Sequence, residues 1–528
     1  AEVQDSDRVP VIVQSTTPTG GKTDASRWKK LNLTATHTLE SIDAVAGEVN
    51  ADDASALLGA ASQKSTVRKI WLDAPIHALD VESMPQIGAP AAWEAGHDGA
   101  GAVVAVLDTG IDTTHPDLDG GLVVGARDFT GSGSTRDEAG HGTHVASIVA
   151  GSGEASDGAN RGVAYGAKLL NGRVLDARGS GQTSWIIEAM EWAAQEGADV
   201  INMSLGIQGE YTDGTDPGAL AIDSISERYD TLVVVAAGND GFYGAGTVTS
   251  PGASASALTV GALNKSDELA GFSSRGPRFG DAGVKPDVTA PGEGILAARA
   301  AGTGPDGSTD PYLSMDGTSM AAPHVAGAAA ILKAARPELG GEALKALLMG
   351  TAESTVGDIW KEGSGKIGIP QAIAEPLYAS TPSLSVGVFA SPRAEQKPRT
   401  VSLDYANTSD KALTLHLSET ARGADGALPD ETVELATDTL TVPAHGSASV
   451  EVTVDPRVVD PGYYTGAVVA SGEGFAPVRT VMGWQVEPNL AALHLEARQP
   501  DGSPVIAASD ATLYNLDDPS AQPVHVMI

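Results

Sequence analysis

Apolar and polar positions change rhythm several times along the chain. Arg8–Ser15 (RVPVIVQS) has the β-branched pattern of a strand. Thr23–Leu31 reads as a short helix and His37–Val49 as an extended run. Asn50 is placed to cap a helix in ADDASALLGAAS, which carries acidic residues in its first turn, and Ser65–Leu72 returns as a strand. Asp80–Gly99, with Pro85 and Pro90, reads as a lead-in arm. From Gly101 short apolar runs alternate with helical patterns. Val103–Leu107, Val200–Leu205 and Leu232–Ala236 are candidate buried strands, and Thr183–Glu196, Pro217–Ser226 and Ser319–Ala335 candidate helices. Asp216 is placed to cap the second of these, with Pro217 at its first helical position. This alternation predicts α/β architecture, a parallel sheet covered on both faces, running to residue 378. Beyond Tyr378 the strand-like runs Ser383–Phe389, Thr400–Tyr405, Leu413–Leu417, Ala448–Val454, Gly462–Ala470 and Val478–Gln485 are separated by Gly, Pro, Asp and Asn, which predicts an antiparallel β-sandwich. The reading is therefore four units: 1–80, 81–378, 379–489, and 490–528 as the start of a further, truncated β unit.

Composition narrows the function classes. The 528 residues are 41% hydrophobic, enough for several cores. The formal net charge is −35, which disfavours nucleic acid and anionic membrane as partners and reads as a solubility device. Cysteine is absent, which excludes disulfides, thiolate nucleophiles and Cys–zinc sites. No apolar run approaches the roughly 18 residues of a membrane span, and no signal peptide is visible. The start at Ala1-Glu2-Val3 fits numbering after signal removal, and the uncapped end at Met527-Ile528 suggests a chain that continues.

Three segments carry chemistry: VVAVLDTGID with Asp108 at the end of an apolar strand, GHGTHVAS with His141 opening a helix, and DGTSMAAPHVAG with Ser319 at a turn into a helix. A serine that attacks a carbonyl needs a base for its proton, and that base needs a carboxylate to fix its tautomer. Each residue has a bland reading when taken singly: Asp108 as a turn residue, Ser319 as a helix N-terminal serine, and His144 and His324 as packed structural histidines. His115, before Pro116, reads as ordering a turn.

Together with NGRVLDARGSGQTSW, ADVINMSLG and VVVAAGND, these segments resemble the active-site signatures of the subtilisin-like serine proteases, and their order Asp, His, Ser is that of subtilisin. The resemblance covers roughly residues 80–378 and implies a three-layer parallel-sheet catalytic domain. It implies Asp108 as the orienting carboxylate, His141 as the general base and Ser319 as the nucleophile. Asn239 matches the side-chain donor of the oxyanion hole, with the Ser319 backbone N–H as the second donor. Gly179-Ser180-Gly181 and Ser204-Leu205-Gly206 match two extended edges that bind substrate backbone, and Ala236-Ala237-Gly238 matches the lining of the pocket for the residue before the cut. Two departures stand out: Ser147 where the family usually has Gly, and Thr249 at the position matching the pocket base, where a β-branched side chain shortens the slot.

Residues 8–72 are similar to the propeptide of this family, a small ferredoxin-like α+β domain that templates folding and inhibits the enzyme. The resemblance implies a zymogen whose tail, about Asp73–Asp80, lies in the cleft, with self-processing between Leu72 and Ser83. It implies a secreted, extracellular, monomeric endopeptidase with peptide or protein substrates, its own propeptide as partner, and no cofactor for the chemistry. Structural calcium is left open: Asp117 matches a carboxylate that binds calcium in many relatives, with Asp213, Asp216 and the Asp306–Asp310 loop as spare candidates, yet GSGEASDGANRGVAYG does not resemble the loop that supplies the other ligands. The competing readings are a non-catalytic binding protein on a protease scaffold and a narrow maturation protease.

Overall fold

The computed structural model describes residues 8–15, 28, 32–50, 67–73, 75–78, 85–304, 310–392, 395–424, 426–488, 510–513 and 524–527. Strands β1 (Arg8–Ser15), β2 (Thr34–Leu39), β3 (Ala44–Asn50) and β4 (Val67–Leu72) form an antiparallel sheet in the order β2-β3-β1-β4. The run His37–Val49, expected as one extended segment, is broken into two strands by a 3-10 turn at Glu40–Ile42 and by Asp43 at φ 51°. Asp is one of the few side chains that accepts this left-handed conformation. Of the expected helix Thr23–Leu31 only helical Trp28 lies within the described residues, and the helix after Asn50 lies outside them. Successive side chains point to opposite faces of the sheet, and both faces carry apolar residues. Val11, Val13, Val45 and Val49 pack with Trp28. Ile12, Leu39, Ala44 and Ala46 instead join the core of the large unit.

The large unit is built on seven parallel strands: β6 (Val103–Asp108), β7 (Val123–Asp128), β8 (Lys168–Arg173), β10 (Val200–Met203), β12 (Leu232–Ala236), β13 (Leu258–Leu263) and β14 (Val288–Pro291). Their order is β14-β13-β12-β10-β6-β8-β7. Successive residues serve opposite faces. Val104, Val106, Val200 and Val234 pack with helices α2 (His141–Ala150), α5 (Thr318–Ala335) and α6 (Gly341–Gly350). Ala105, Leu107, Ile201 and Val233 pack with α3 (Thr183–Gln195) and α4 (Pro217–Tyr229). This is a three-layer α/β/α unit, and burial on both faces explains strands that read as unbroken apolar runs. A short helix α1 (Ala89–Glu94) leads into it. Strand β8 (KLLNGR) was not anticipated, because Asn171 and Arg173 interrupt its apolar run. Both are buried on backbone carbonyls: Asn171 Nδ2 on Thr135 O at 2.9 Å and Arg173 Nη1 on Arg136 O at 2.9 Å.

Three short segments form a separate sheet in the order β11-β5-β9: β5 (Pro75–Ala78), β9 (Ser180–Gln182) and β11 (Leu205–Gly206). A hairpin of β15 (Ile295–Ala298) and β16 (Tyr312–Met315) precedes α5. After residue 377 two sheets share one apolar core around Phe389, Tyr405 and Trp484. Most pairs there are antiparallel, but Ser383–Phe389 runs parallel to Val478–Val486. The preceding strand, Leu377–Ala379, belongs to the other sheet, so a crossing rather than a hairpin sets the direction of Ser383–Phe389. This unit seats on the large one through Trp360 against Tyr463 and through Ala476 N, which donates to Glu375 Oε2 at 2.9 Å. Asp510–Leu513 and Val524–Met527 pair in antiparallel sense.

Candidate active site

Asp108 ends β6, and His141 opens α2. Both are buried, and His141 Nδ1 lies 2.7 Å from Asp108 Oδ1. Facing a carboxylate, Nδ1 carries the proton, so Nε2 is left as the basic nitrogen. The same Asp108 oxygen accepts from Thr109 N at 2.7 Å. The approach of the two segments is tight: a Cβ on Gly142 would lie 2.2 Å from Gly110 O and 3.1 Å from Asp108 Cβ. Glycine after His141 is therefore a steric requirement of the pair.

What locks this approach is Asp137, a residue the sequence reading did not single out. Its Oδ1 accepts from Thr109 Oγ1 (2.8 Å), Ala139 N (2.9 Å) and Gly140 N (2.7 Å). Its Oδ2 accepts from Thr143 N (2.9 Å) and Thr143 Oγ1 (2.7 Å). The residue before the helix, Gly140, provides no side-chain cap, so Asp137 satisfies the helix N-terminus from outside. A signal was present in the spacing: an Asp four residues before the first helical residue, with a Thr in the first turn.

Ser319 sits in the first turn of α5, fully buried. Its hydroxyl donates to Ser204 O at 3.0 Å, and the Ser204 hydroxyl donates back to Ser319 O. Asn202 Nδ2 holds Ser204 Oγ at 3.0 Å. Ser204 was expected only as part of a binding edge; here it also anchors the serine turn. Asn239 follows β12 and is tied to the same turn. Its Oδ1 accepts from Thr318 N at 2.9 Å and Thr318 Oγ1 at 3.0 Å. Those two donors identify the oxygen of the carboxamide and leave its NH2 to face the other way, as a donor.

Parts of the two expected segments, Ser180-Gly181 and Leu205-Gly206, form backbone ladders with β5 between them. Ile76 pairs with Gly181 and His77 with Ser180, while Ala78 pairs with Leu205 and His77 with Gly206, all antiparallel. Gly179 lies in the turn before β9, at φ 72°, rather than in the ladder. Ala236, Ala237 and Gly238 are buried at the end of β12. Thr249 lies against them: its backbone N donates to Ala237 O at 3.0 Å. A Cβ on Gly206 or on Gly238 would come within 2.7 Å of Thr249 Oγ1, so the threonine side chain fills the space between the two segments. Beyond Asn239, Asp240 accepts from Tyr211 at 3.0 Å, and burial together with this carboxylate pushes the tyrosine pKa up to about 12.

The N-terminal unit is tied to the same region. Asp73 Oδ1 accepts from Ser184 N at 2.9 Å and its Oδ2 from the Ser184 hydroxyl, capping α3, whose own N-cap Gln182 offers no side-chain cap.

Three further histidines near these segments hold the scaffold. His115 caps a 3-10 turn through Asp117 N and reaches Pro311 O at 2.8 Å with Nε2. His144 Nε2 meets Leu313 O at 3.0 Å, and His324 Nδ1 meets Met320 O at 2.7 Å. Burial drives the His324 pKa down to about 4. Ser147 Oγ donates to His144 O and accepts from Ala298 N at 2.8 Å, which ties α2 to β15.

The calcium candidates are engaged by protein donors. Asp117 accepts from Ala155 N at 2.9 Å and Tyr312 OH at 2.8 Å. Asp216 caps α4 through Ala219 N and takes the hydroxyls of Thr212 and Ser250, both at 2.6 Å. Asp213 takes the Thr215 hydroxyl at 2.6 Å. Of the Asp306–Asp310 loop only Asp310 lies within the described residues. Among the described residues no cluster of three His, Asp or Glu side chains has metal-binding geometry.

Comparison with known proteins agrees with this geometry. The family described as the subtilase family, Peptidase S8, matches residues 99–369. An alkaline protease of Alkalihalobacillus alcalophilus is 37% identical over 349 residues, 65% of this chain and 82% of the relative. Subtilisin E of Bacillus subtilis is 39% identical over 293 residues, 54% of this chain and 69% of the relative. The subtilisin of Bacillus pumilus is 38% identical over 293 residues, 54% of this chain and 96% of the relative. With a parallel α/β/α sheet, a buried Asp–His pair and a serine at a helix start, the chain belongs to the subtilase family of subtilisin-like serine proteases.

Proposed function

We propose that the protein is a secreted, monomeric serine endopeptidase made as a zymogen, with Asp108, His141 and Ser319 as its triad. The observation that carries this reading is the buried Asp108–His141 pair, whose Nε2 is left basic, on the helix that packs against the one bearing Ser319. In the proposed cycle the Ser319 hydroxyl turns from Ser204 O toward His141 Nε2. His141 takes its proton as Oγ attacks the scissile carbonyl, and Asp108 stabilises the imidazolium. The oxyanion receives the Asn239 amide N–H and the Ser319 backbone N–H. The imidazolium then protonates the departing amine, leaving an acyl-enzyme. Water, deprotonated by His141, attacks the ester and regenerates Ser319. No cofactor enters this sequence.

Substrate backbone is proposed to bind as β5 does, between β9 and β11, with Ala236-Ala237-Gly238 and Thr249 around the side chain before the cut. The pairing of β5 with both edges supports an N-terminal unit that inhibits its own enzyme. The test is expression of the parent beside Ser319→Ala. The parent is expected to cut itself between Leu72 and Ser83 and then to be labelled at Ser319 by phenylmethylsulfonyl fluoride. Ser319→Ala is expected to remain one uncut chain; cleavage of purified Ser319→Ala at that junction would refute the assignment. Asn239→Leu should lower kcat about a hundred- to a thousandfold, the scale already known for the matching donor of subtilisin.

A further inference from the structure

Asp117 matches a carboxylate that binds calcium in many relatives, and the residues around it here do not fit a calcium site. A calcium ion takes six to eight oxygens. Here each carboxylate oxygen of Asp117 instead meets a proton donor: Ala155 N–H at 2.9 Å on Oδ1 and Tyr312 O–H at 2.8 Å on Oδ2. Asp117 is 1% exposed. Its backbone N–H is taken by His115 Nδ1 at 3.1 Å, and its carbonyl accepts from Ser152 N at 2.9 Å. Tyr312 OH also lies 2.9 Å from Ser156 Oγ, and its ring stands edge-on to the His115 ring at 5.9 Å between centroids.

We propose that the Tyr312 hydroxyl takes the place of a divalent cation at Asp117, so that this clasp is a metal-free brace for the strand leading into Ser319. A buried carboxylate must be neutralised or hydrogen-bonded. A phenol and a backbone amide meet that need here without a second charge. The clasp joins three segments far apart in sequence: the turn at 115–118, the loop at 152–156 and β16. Strand β16 is held further by His144 on Leu313 O, and the residue before it by His115 on Pro311 O. His144 lies one turn after His141 on α2, and β16 ends four residues before Ser319. One hydrogen-bonded block therefore spans the histidine helix and the approach to the serine. Burial and the neighbouring carboxylate push the Tyr312 pKa up to about 12, which keeps the phenol protonated at ordinary pH.

The test uses the full chain as Ser319→Ala, which cannot digest itself, with thermal unfolding in calcium chloride and in EDTA. The difference in Tm between the two conditions is expected to be the same for this parent as for its Asp117→Asn form. Tyr312→Phe is expected to lower Tm by about 2–6 °C in EDTA, because it leaves a buried carboxylate oxygen without its donor. A calcium-dependent gain in Tm that Asp117→Asn abolishes would overturn the proposal, as would an unchanged Tm in Tyr312→Phe. Should Asp117→Asn not fold, terbium luminescence decides. Emission from the parent on tyrosine excitation that disappears in Tyr312→Phe places a cation beside the phenol and sinks the idea; emission unaffected by Tyr312→Phe, or absent, upholds it.

Discussion

The Thr109 hydroxyl donates to Asp137 at 2.8 Å while accepting from Gly142 N at 2.8 Å, so one side chain stitches the residue after Asp108 to the residue after His141. Asp137 in turn accepts five hydrogen bonds from this strand end and helix start. It touches neither the imidazole nor the serine, so it is a positioning residue. Asp137→Asn places an NH2 group against donors and should loosen the pair. The mature enzyme is expected to lose about ten- to a hundredfold in kcat with KM nearly unchanged, as small misplacements of a reacting group do. Steady-state kinetics on a peptide amide would check this, and a loss seen only in KM would contradict it.

Asp73 supplies the cap that α3 lacks. Removing a helix N-cap costs about 0.5–2 kcal/mol. In the Ser319→Ala chain, Asp73→Ala is expected to weaken docking of the N-terminal unit by about that amount. Titrating the separately made N-terminal unit, with and without the substitution, against the mature enzyme would measure this as a rise of about two- to thirtyfold in its inhibition constant.

Thr249 fills the space between Gly206 and Gly238. Thr249→Gly should deepen the pocket for the residue before the cut. Each added methylene accommodated is worth about 1–3 kcal/mol in discrimination. The ratio of kcat/KM for Phe over Ala at that position is thus expected to rise at least about tenfold. A peptide series differing only there is the assay, and an unchanged ratio would remove Thr249 from the pocket floor.

His324 is fully buried, and desolvation lowers its pKa from 6.5 to about 4, with the nearby His144 adding to the shift. Between these two values the unfolded chain holds a proton that the folded chain does not. Stability therefore falls as pH drops from about 6.5 to about 4 and is insensitive to this group above 6.5. Thermal unfolding of Ser319→Ala across that window should show the decline, and His324→Gln should make the slope shallower by about one proton.

Much of the architecture was legible in local pattern. Unbroken apolar runs at Val103–Leu107 and Leu232–Ala236 marked strands buried on both faces, and the capped, periodic stretch after Asp216 marked a helix. Strand β8 was missed because its Asn171 and Arg173 look exposed until their backbone partners are known. The break at Asp43 turned one expected strand into two, a single left-handed residue overriding a smooth β pattern. The candidate residues Asp108, His141, Ser319 and Asn239 each lie in a short, glycine-rich segment that is recognisable in sequence, although the steric reason for a glycine such as Gly142, the approach of Gly110 and Asp108, appears only in the fold.

Other features were decided only when the chain closed on itself. The Thr109–Asp137 stitch, the Thr249 hydroxyl between two glycines, the Asp73 cap on α3 and the clasp of Tyr312 on Asp117 all join positions remote in sequence; the last pair are 195 residues apart. Local propensity and period act over one turn or one strand, so they specify which elements form and which face they bury. Whether a carboxylate ends beside a phenol, a helix start or a cation depends on where distant elements come to rest, and that is set by packing of the whole core.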